Sequence, residues 1–211
     1  VYAVEEVVLE PRSVVAAFAR RKISRLDMPV EAVPAHAAGP RVLPRAFPEL
    51  PEAVSGENAT PATVVEQLPA LNKRLRVWVD HDEEQLRHLF GLVESVSGPV
   101  ACRLVRGGER PIGWYAYVPS RGGVSRVLHL AALERHADAV LGELVSHARS
   151  QGSAVLSGRA EPHLQKALAR RLAILAYRRQ PTILARDPEL AAAMATNASL
   201  LTRLEGEVFA L

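Results

Sequence analysis

The stretch Leu133–Val140, LERHADAV, lies between an apolar run, Val127–Leu133, and a long amphipathic segment that ends near Gly152. A strand that feeds a helix N-terminus is a good phosphate holder, because the first-turn N–H groups and the helix dipole both face the anion. Arg135 and His136 add basic character to that turn, Asp138 adds a carboxylate, and none of the eight residues is glycine. Without a ligand in mind, Asp138 so near a helix start is an N-cap or first-turn residue that stabilises the helix. His129 alternates with Leu128 and Leu130 and is expected to point to the opposite face from both. There it could meet a substrate, although a satisfied, half-buried histidine is the preferred reading. Glu161 and His163 stand at a strand-to-helix junction, where α/β sites collect polar groups. They read equally as a first-turn acid and a surface histidine, and that plainer reading is preferred. Trp114, Tyr115 and Tyr117 alternate on one strand as packing residues. The lone cysteine, Cys102, sits in the apolar run GPVACRLV as a buried, inert thiol.

Other chemistries lack their residues. No His/Cys/Asp group has zinc spacing. Neither a Walker loop nor G-x-G-x-x-G occurs, and LSGRA around Ser157 is a strand end rather than a nucleophile elbow.

The elements that must position these residues follow from periodicity. Val1–Arg25 opens with a strand-like run and continues from Pro11 and Ser13 as a helix with Val14, Val15, Phe18 and Ile23 on one side. Seven of the fifteen prolines then fall between Met28 and Pro61, which excludes continuous helix or sheet and reads as a linker or belt. A domain boundary is expected near Asn58. Thr60 and Pro61 start a helix as N-cap and first residue, Arg76–Asp82 is extended, and Asp82–Val96 is a helix with Leu86, Leu89, Phe90 and Val93 on one face. Strands follow at Val100–Arg106, Pro111–Pro119 and Ser125–Leu133, the last two joined through Ser120–Gly123. Beyond them come a helix over Glu134–Ser150 with Gly152 just past its end, a strand at Ser153–Ala160, a helix at Glu161–Arg171, strands at Ala173–Arg179 and Thr182–Asp187, a helix at Pro188–Ser199 and a closing strand at Leu200–Leu211. The fold class is α/β (α+β mixed): a mixed, mostly antiparallel sheet flanked by helices, with an N-terminal extension and a Pro-rich linker.

Composition sets the bounds. The 211 residues are 48% hydrophobic and 23% charged, the balance of a globular chain. Net charge is only +3 and aromatic residues are 5%, so the concentrated basic and aromatic surface of a nucleic-acid binder is missing. The excess is spread over short clusters at Arg20–Lys22, Lys73–Arg76, Arg170–Arg171 and Arg178–Arg179. No run of about 18 or more apolar residues could span a membrane. One cysteine excludes an intrachain disulfide and fits a reducing, cytoplasmic setting. The chain opens on Val1 rather than Met, which reads as part of something longer.

The order of elements, together with the strand RPIGWYAYVP (Arg110–Pro119), the strand VLHLAAL (Val127–Leu133) and the helix and strand AVLGELVSHARSQGSAVLSG that follow, resembles the GNAT superfamily of acyl-CoA-dependent N-acyltransferases. The tail Ala185–Glu207 is similar to that of a bacterial GNAT-like group with a degenerate cofactor loop. The resemblance covers about residues 60–211. It implies acyl transfer from acetyl-CoA or another acyl-CoA to an amine, small-molecule or peptide. It also implies that the pantetheine arm pairs along the central strand Leu128–Ala132 and that the strands at Leu128–Ala132 and Ser153–Arg159 splay into a V. The cofactor residues it implies are Leu130, Ala131 and Ala132 on the strand, with Arg135, His136, Ala137, Asp138, Ala139 and Val140 in the loop. There Arg135 fits the superfamily's pattern, while Asp138 and Val140 stand where a glycine and a small residue belong. The tyrosine that often protonates the departing thiolate is absent from the matching helix. That leaves Tyr177, His129 and Glu161 as catalytic candidates. A non-catalytic GNAT-like domain serving interaction or assembly stays open as the alternative. Residues 1–27 are then the end of a preceding GNAT-like module or an arm that packs on a partner, such as a second copy of the chain; 28–59 are the Pro-rich linker and 60–211 the GNAT-like domain.

Overall fold

The computed structural model describes residues 3–8, 50–170, 173–177, 186–194, 199–200 and 202–206, with backbone alone at 3–8 and 173–177. Seven strands form one sheet: β1 (Ala3–Val8), β2 (Val54–Asn58), β3 (Ala101–Gly107), β4 (Arg110–Val118), β5 (Val124–Ala132), β6 (Val155–Ala160) and β7 (Ala173–Tyr177). Their order is β2-β3-β4-β5-β6-β1-β7, and every neighbouring pair is antiparallel except β5 with β6.

Helices cover both faces. On one lie α1 (Pro61–Asn72) and α2 (Glu83–Ser97); on the other lie α3 (Ala137–Ser150) and the short α4 (Gln165–Ala169). Local chemistry starts the first two as the sequence suggests. The Thr60 hydroxyl accepts from the Thr63 N–H at 3.2 Å ahead of Pro61. Asp82 and Gln85 form a reciprocal capping box, with the Gln85 N–H donating to Asp82 at 2.8 Å. Alternation along β4 then divides the core. Trp114 and Ala116 pack with Leu68, Leu86 and Phe90 on the α1/α2 side, while Tyr115 and Tyr117 pack with Val140, Leu141 and Leu144 beneath α3. All three aromatic rings of β4 are fully buried, each stabilising the fold by roughly 4–6 kcal/mol of gross apolar burial.

One irregularity decides where a functional candidate points. Ala116 pairs with His129, but Tyr117 pairs with Val127, so Leu128 is an extra residue on β5. The bulge puts Leu128 and His129 on the same face, toward α1 and α2, with Leu130 opposite. Strict alternation places His129 opposite both leucines; the bulge corrects that for Leu128.

The remaining differences lie at the ends of the chain. The segment expected as linker up to residue 59 closes with strand β2, paired to β3 from Val54↔Gly107 to Asn58↔Arg103. Arg76–Asp82 makes a single bridge, Val77 with Ser199. The expected closing strand is, where described, the short helix α6 (Arg203–Gly206), preceded by α5 (Pro188–Met194). Leu204 carries α6 into the α1/α2 core, which Leu200 enters from the extended stretch before it, and the Thr202 hydroxyl accepts from the Leu204 N–H at 3.3 Å at the start of the helix. The helix expected after Pro11 lies outside the described residues, as do most of Thr182–Asp187 and the last five positions. Ala3–Val8, within the stretch expected as the end of a preceding module or a packing arm, form β1 of the sheet.

Candidate functional site

The site begins where the sheet comes apart. β5 and β6 pair only from Val124↔Val155 to Arg126↔Ser157. Beyond that point β5 stays laddered to β4 as far as Ala132, with no ladder partner in β6. A cleft of about 860 Å³ opens there. Ala131, Ala132 and Leu133 form its floor, and Arg135, Ala137 and Asp138 belong to the turn entering α3. Leu71, Asn72 and Arg74 come from the end of α1, and His163, Lys166 and Arg170 from the segment after β6. Four of these side chains, Arg74, Arg135, Lys166 and Arg170, are cationic, and Asp138 is the one carboxylate among the lining residues.

The turn that enters α3 is held by packing rather than by loop glycines. Glu134–His136 is a single 3₁₀ turn, tied by the His136 N–H to the Leu133 carbonyl at 2.7 Å. His136 stands at the N-cap without a side-chain capping bond, and Asp138 is in the first helical turn rather than at the cap. The first-turn N–H groups of α3 therefore lack a side-chain cap on the cleft side of the sheet. Arg135 Nε donates to His136 Nε2 at 3.0 Å, and burial followed by the Arg135 charge holds His136 below the ordinary histidine range. The closeness of α3 to the sheet comes from Gly113. A Cβ on it would meet the Ala131 carbonyl oxygen at 2.5 Å and Val140 Cγ2 at 2.7 Å. The bulk of Val140 thus fits over a glycine on the neighbouring strand.

Among the residues implied for a cofactor, the cleft brings together Ala131, Ala132, Arg135, Ala137 and Asp138. Leu130 and Val140 point into the α3 core, and Ala139 packs against it. The three catalytic candidates do not converge. His129 is 4% exposed, bonds Thr202 Oγ1 through Nδ1 at 2.9 Å, and stacks on Trp114 with ring centroids 3.9 Å apart. Glu161 is buried in an ion pair with Arg159 at 3.6 Å. Tyr177 ends β7, three strands from β5, or about 14 Å across the sheet. Cys102 is buried and its thiol is pushed up to about 12 by burial, so it is no nucleophile.

His163 is the correction. Expected on the surface, it lines the cleft half-buried, and burial, then the proximity of His129, pushes it down to about 4. Asn72, Arg74 and Lys166 were not singled out by sequence at all. Arg74 and Arg170 belong to two short basic clusters that read as scattered excess, yet the splayed sheet brings both to one cleft.

A second polar cluster lies across the sheet, under α3. Glu143 accepts from the Tyr115 hydroxyl and from Arg103, whose Nη2 is 3.0 Å away. Arg103 also donates to Asn58 Oδ1 at 2.9 Å and to the Gly56 carbonyl. It joins β2, β3, β4 and α3 and is closed by packing.

No family model and no curated protein matches the chain. Among solved structures, a GCN5-related N-acetyltransferase from Anabaena variabilis is similar with a TM-score of 0.47 and 11% identity, over 82% of this chain and 37% of that one. A GCN5-related N-acetyltransferase from Kribbella flavida gives 0.37 and 19%, over 63% and 54%. A conserved protein of unknown function from Staphylococcus epidermidis gives 0.41 and 7%, over 82% and 57%. The chain thus spans between 37% and 57% of the length of these structures. The chain's own strand order, with its one parallel pair parting before a cleft, is the V that the resemblance implies for these strands.

Proposed function

We propose that the chain is an acyl-CoA-dependent N-acyltransferase that moves an acetyl or other acyl group to an amine. The observation that supports this reading is the cleft itself, which opens where β5 leaves β6, runs onto the start of α3 and gathers four cations. Phosphates of coenzyme A would lie against Arg135, Lys166 and Arg170, near the helix N-terminus. Ala131 and Ala132, without a partner strand on the β6 side, would pair with the amide-bearing arm. Asp138 is repulsive to phosphate, but four cations outweigh one carboxylate in the same cleft. The chemistry then asked of the protein is modest. The amine nitrogen attacks the thioester carbonyl, the C–S bond breaks, and the thiolate leaves with the proton that the amine loses. A reducing, cytoplasmic setting belongs to the same proposal.

Calorimetric titration of the chain with CoA and acetyl-CoA tests this. Micromolar binding is expected, weakened about tenfold or more by Arg135→Glu or Lys166→Glu and tightened by Asp138→Gly. No binding at millimolar ligand would overturn the proposal. The reading left would be a GNAT-like domain used for assembly with a preceding module or a second copy. The position of Tyr177, three strands from the cleft floor, favours that second reading.

A further inference from the structure

The cleft holds two polar atoms that the fold leaves unsatisfied. Asn72 is 5% exposed at the end of α1, and its Oδ1 has no hydrogen-bond partner. His163 Nε2, from the segment after β6, is likewise buried without one. Both residues line the same cleft, from elements on either side of its floor. A buried acceptor without a partner is costly to the fold alone, and a ligand that supplies a donor removes the cost. A neutral imidazole can take such an N–H in one of its tautomers, and the depressed proton affinity of His163 keeps the ring neutral near pH 7.

Charge narrows the ligand. A simple amine is an ammonium ion at neutral pH, and with phosphates on Arg135, Lys166 and Arg170 the lining cation left for the acceptor is Arg74. A bare ammonium is repelled there, whereas a molecule carrying its own anion is drawn in. Arg135 and Asp138 lie on the turn entering α3, and Lys166 and Arg170 on the segment after β6. Arg74 lies on the α1 side, two residues from Asn72, exposed at the rim.

Resting on the acyltransferase reading, we infer that the acceptor is a small amine bearing its own carboxylate, of the amino-acid class, with its amine held by Asn72 and His163 and its carboxylate by Arg74. The acceptor's ammonium first loses one proton to solvent; the free amine then forms the C–N bond as the thioester C–S bond breaks, and the thiolate takes the second proton. Asn72 and Arg74 then select the acceptor without touching the acyl donor.

The test supplies the chain with acetyl-CoA and the common amino acids, each as free acid and as α-amide, and reads thiol release. Acetyl-CoA affinity is measured calorimetrically alongside. Expected are free acids turned over at least about tenfold faster than their amides, with that preference lost in Arg74→Glu. Asn72→Ala and His163→Ala should lower kcat/KM for the amino acid about tenfold or more while the Kd for acetyl-CoA stays unchanged. Amides that react as fast as acids, or acetyl-CoA binding with no amine of the panel consumed, would overturn the inference and leave the acyltransferase reading standing. Failure to bind acetyl-CoA would remove both. Arg74 is exposed, so its variant keeps the test decisive even where Asn72→Ala disturbs the end of α1.

Discussion

Arg103→Met is the most informative single change to the scaffold. Glu143 lies in the middle of α3 with its side chain 6% exposed, and Arg103 supplies its counter-charge from β3 at 14% exposure. Removing the guanidinium leaves the carboxylate with one donor among the described residues, the Tyr115 hydroxyl, in a site closed to water. Breaking a buried pair from one side costs about 3–5 kcal/mol, because the remaining charge keeps its desolvation penalty. For a chain of this size that is a fall in Tm of roughly 6–20 °C. The double variant Arg103→Met/Glu143→Leu removes both charges and strands the Tyr115 hydroxyl, at about 1–3 kcal/mol, while the loss of donation to Asn58 Oδ1 and the Gly56 carbonyl is common to both variants. It should therefore be more stable than Arg103→Met alone, an inversion that simple loss of contacts does not produce. Urea unfolding followed by tryptophan fluorescence measures both, since Trp114 is fully buried on β4. A single variant within about 1 kcal/mol of the parent, or a double variant less stable than the single, would refute the reasoning and mean that water reaches Glu143.

Two further predictions concern the cleft. Gly113→Ala should destabilise by about 2–3 kcal/mol, and adding Val140→Ala should not rescue it, because the Ala131 carbonyl at 2.5 Å is backbone and cannot yield; recovery on the same urea curve would show that side-chain crowding alone was at fault. His163, held at about 4 in the fold against an ordinary 6.5, takes its proton first in the unfolded chain. Stability should fall as pH drops from about 6.5 toward 4, by up to roughly 3 kcal/mol; His163→Gln should flatten that slope, and parallel curves for the two chains would show that another group is responsible.

What could be read from sequence was whatever depends on neighbours along the chain. Alternating apolar residues located β3, β4 and β5, Thr60-Pro61 placed the start of α1 to the residue, and the helix expected from Asp82 begins at Glu83 with Asp82 as its cap. What could not be read depends on register and on distant segments. The bulge at Leu128 carries no composition signal, yet it decides which face His129 shares. Leu204 enters the core from a helix of four residues, too short to show a period inside a β-like run. The cleft's polar wall is the clearest case. Asn72 and His163 are 91 positions apart, and nothing local to either predicts that both line one opening. The loop itself shows the limit of a motif. It lacks the glycine and the small residue of the superfamily's pattern, and Val140 at the second of these positions fits because Gly113, on another strand, makes room for it.

The position of β1 ties the far wall of that cleft to the start of the chain. β1 is antiparallel to both β6 and β7, with Ala3 opposite Ala160 on one side and Tyr177 on the other. β6 and β7 therefore run parallel to each other, two strand spacings or about 9.5 Å apart, too far to bond directly. The segment connecting them carries His163, Lys166 and Arg170. Among the described residues, its far end meets the sheet at β7 through the hydrogen bonds that β1 makes to each neighbour. The cationic stretch that lines the cleft and the strand that holds β7 in the sheet therefore bear on one short connection.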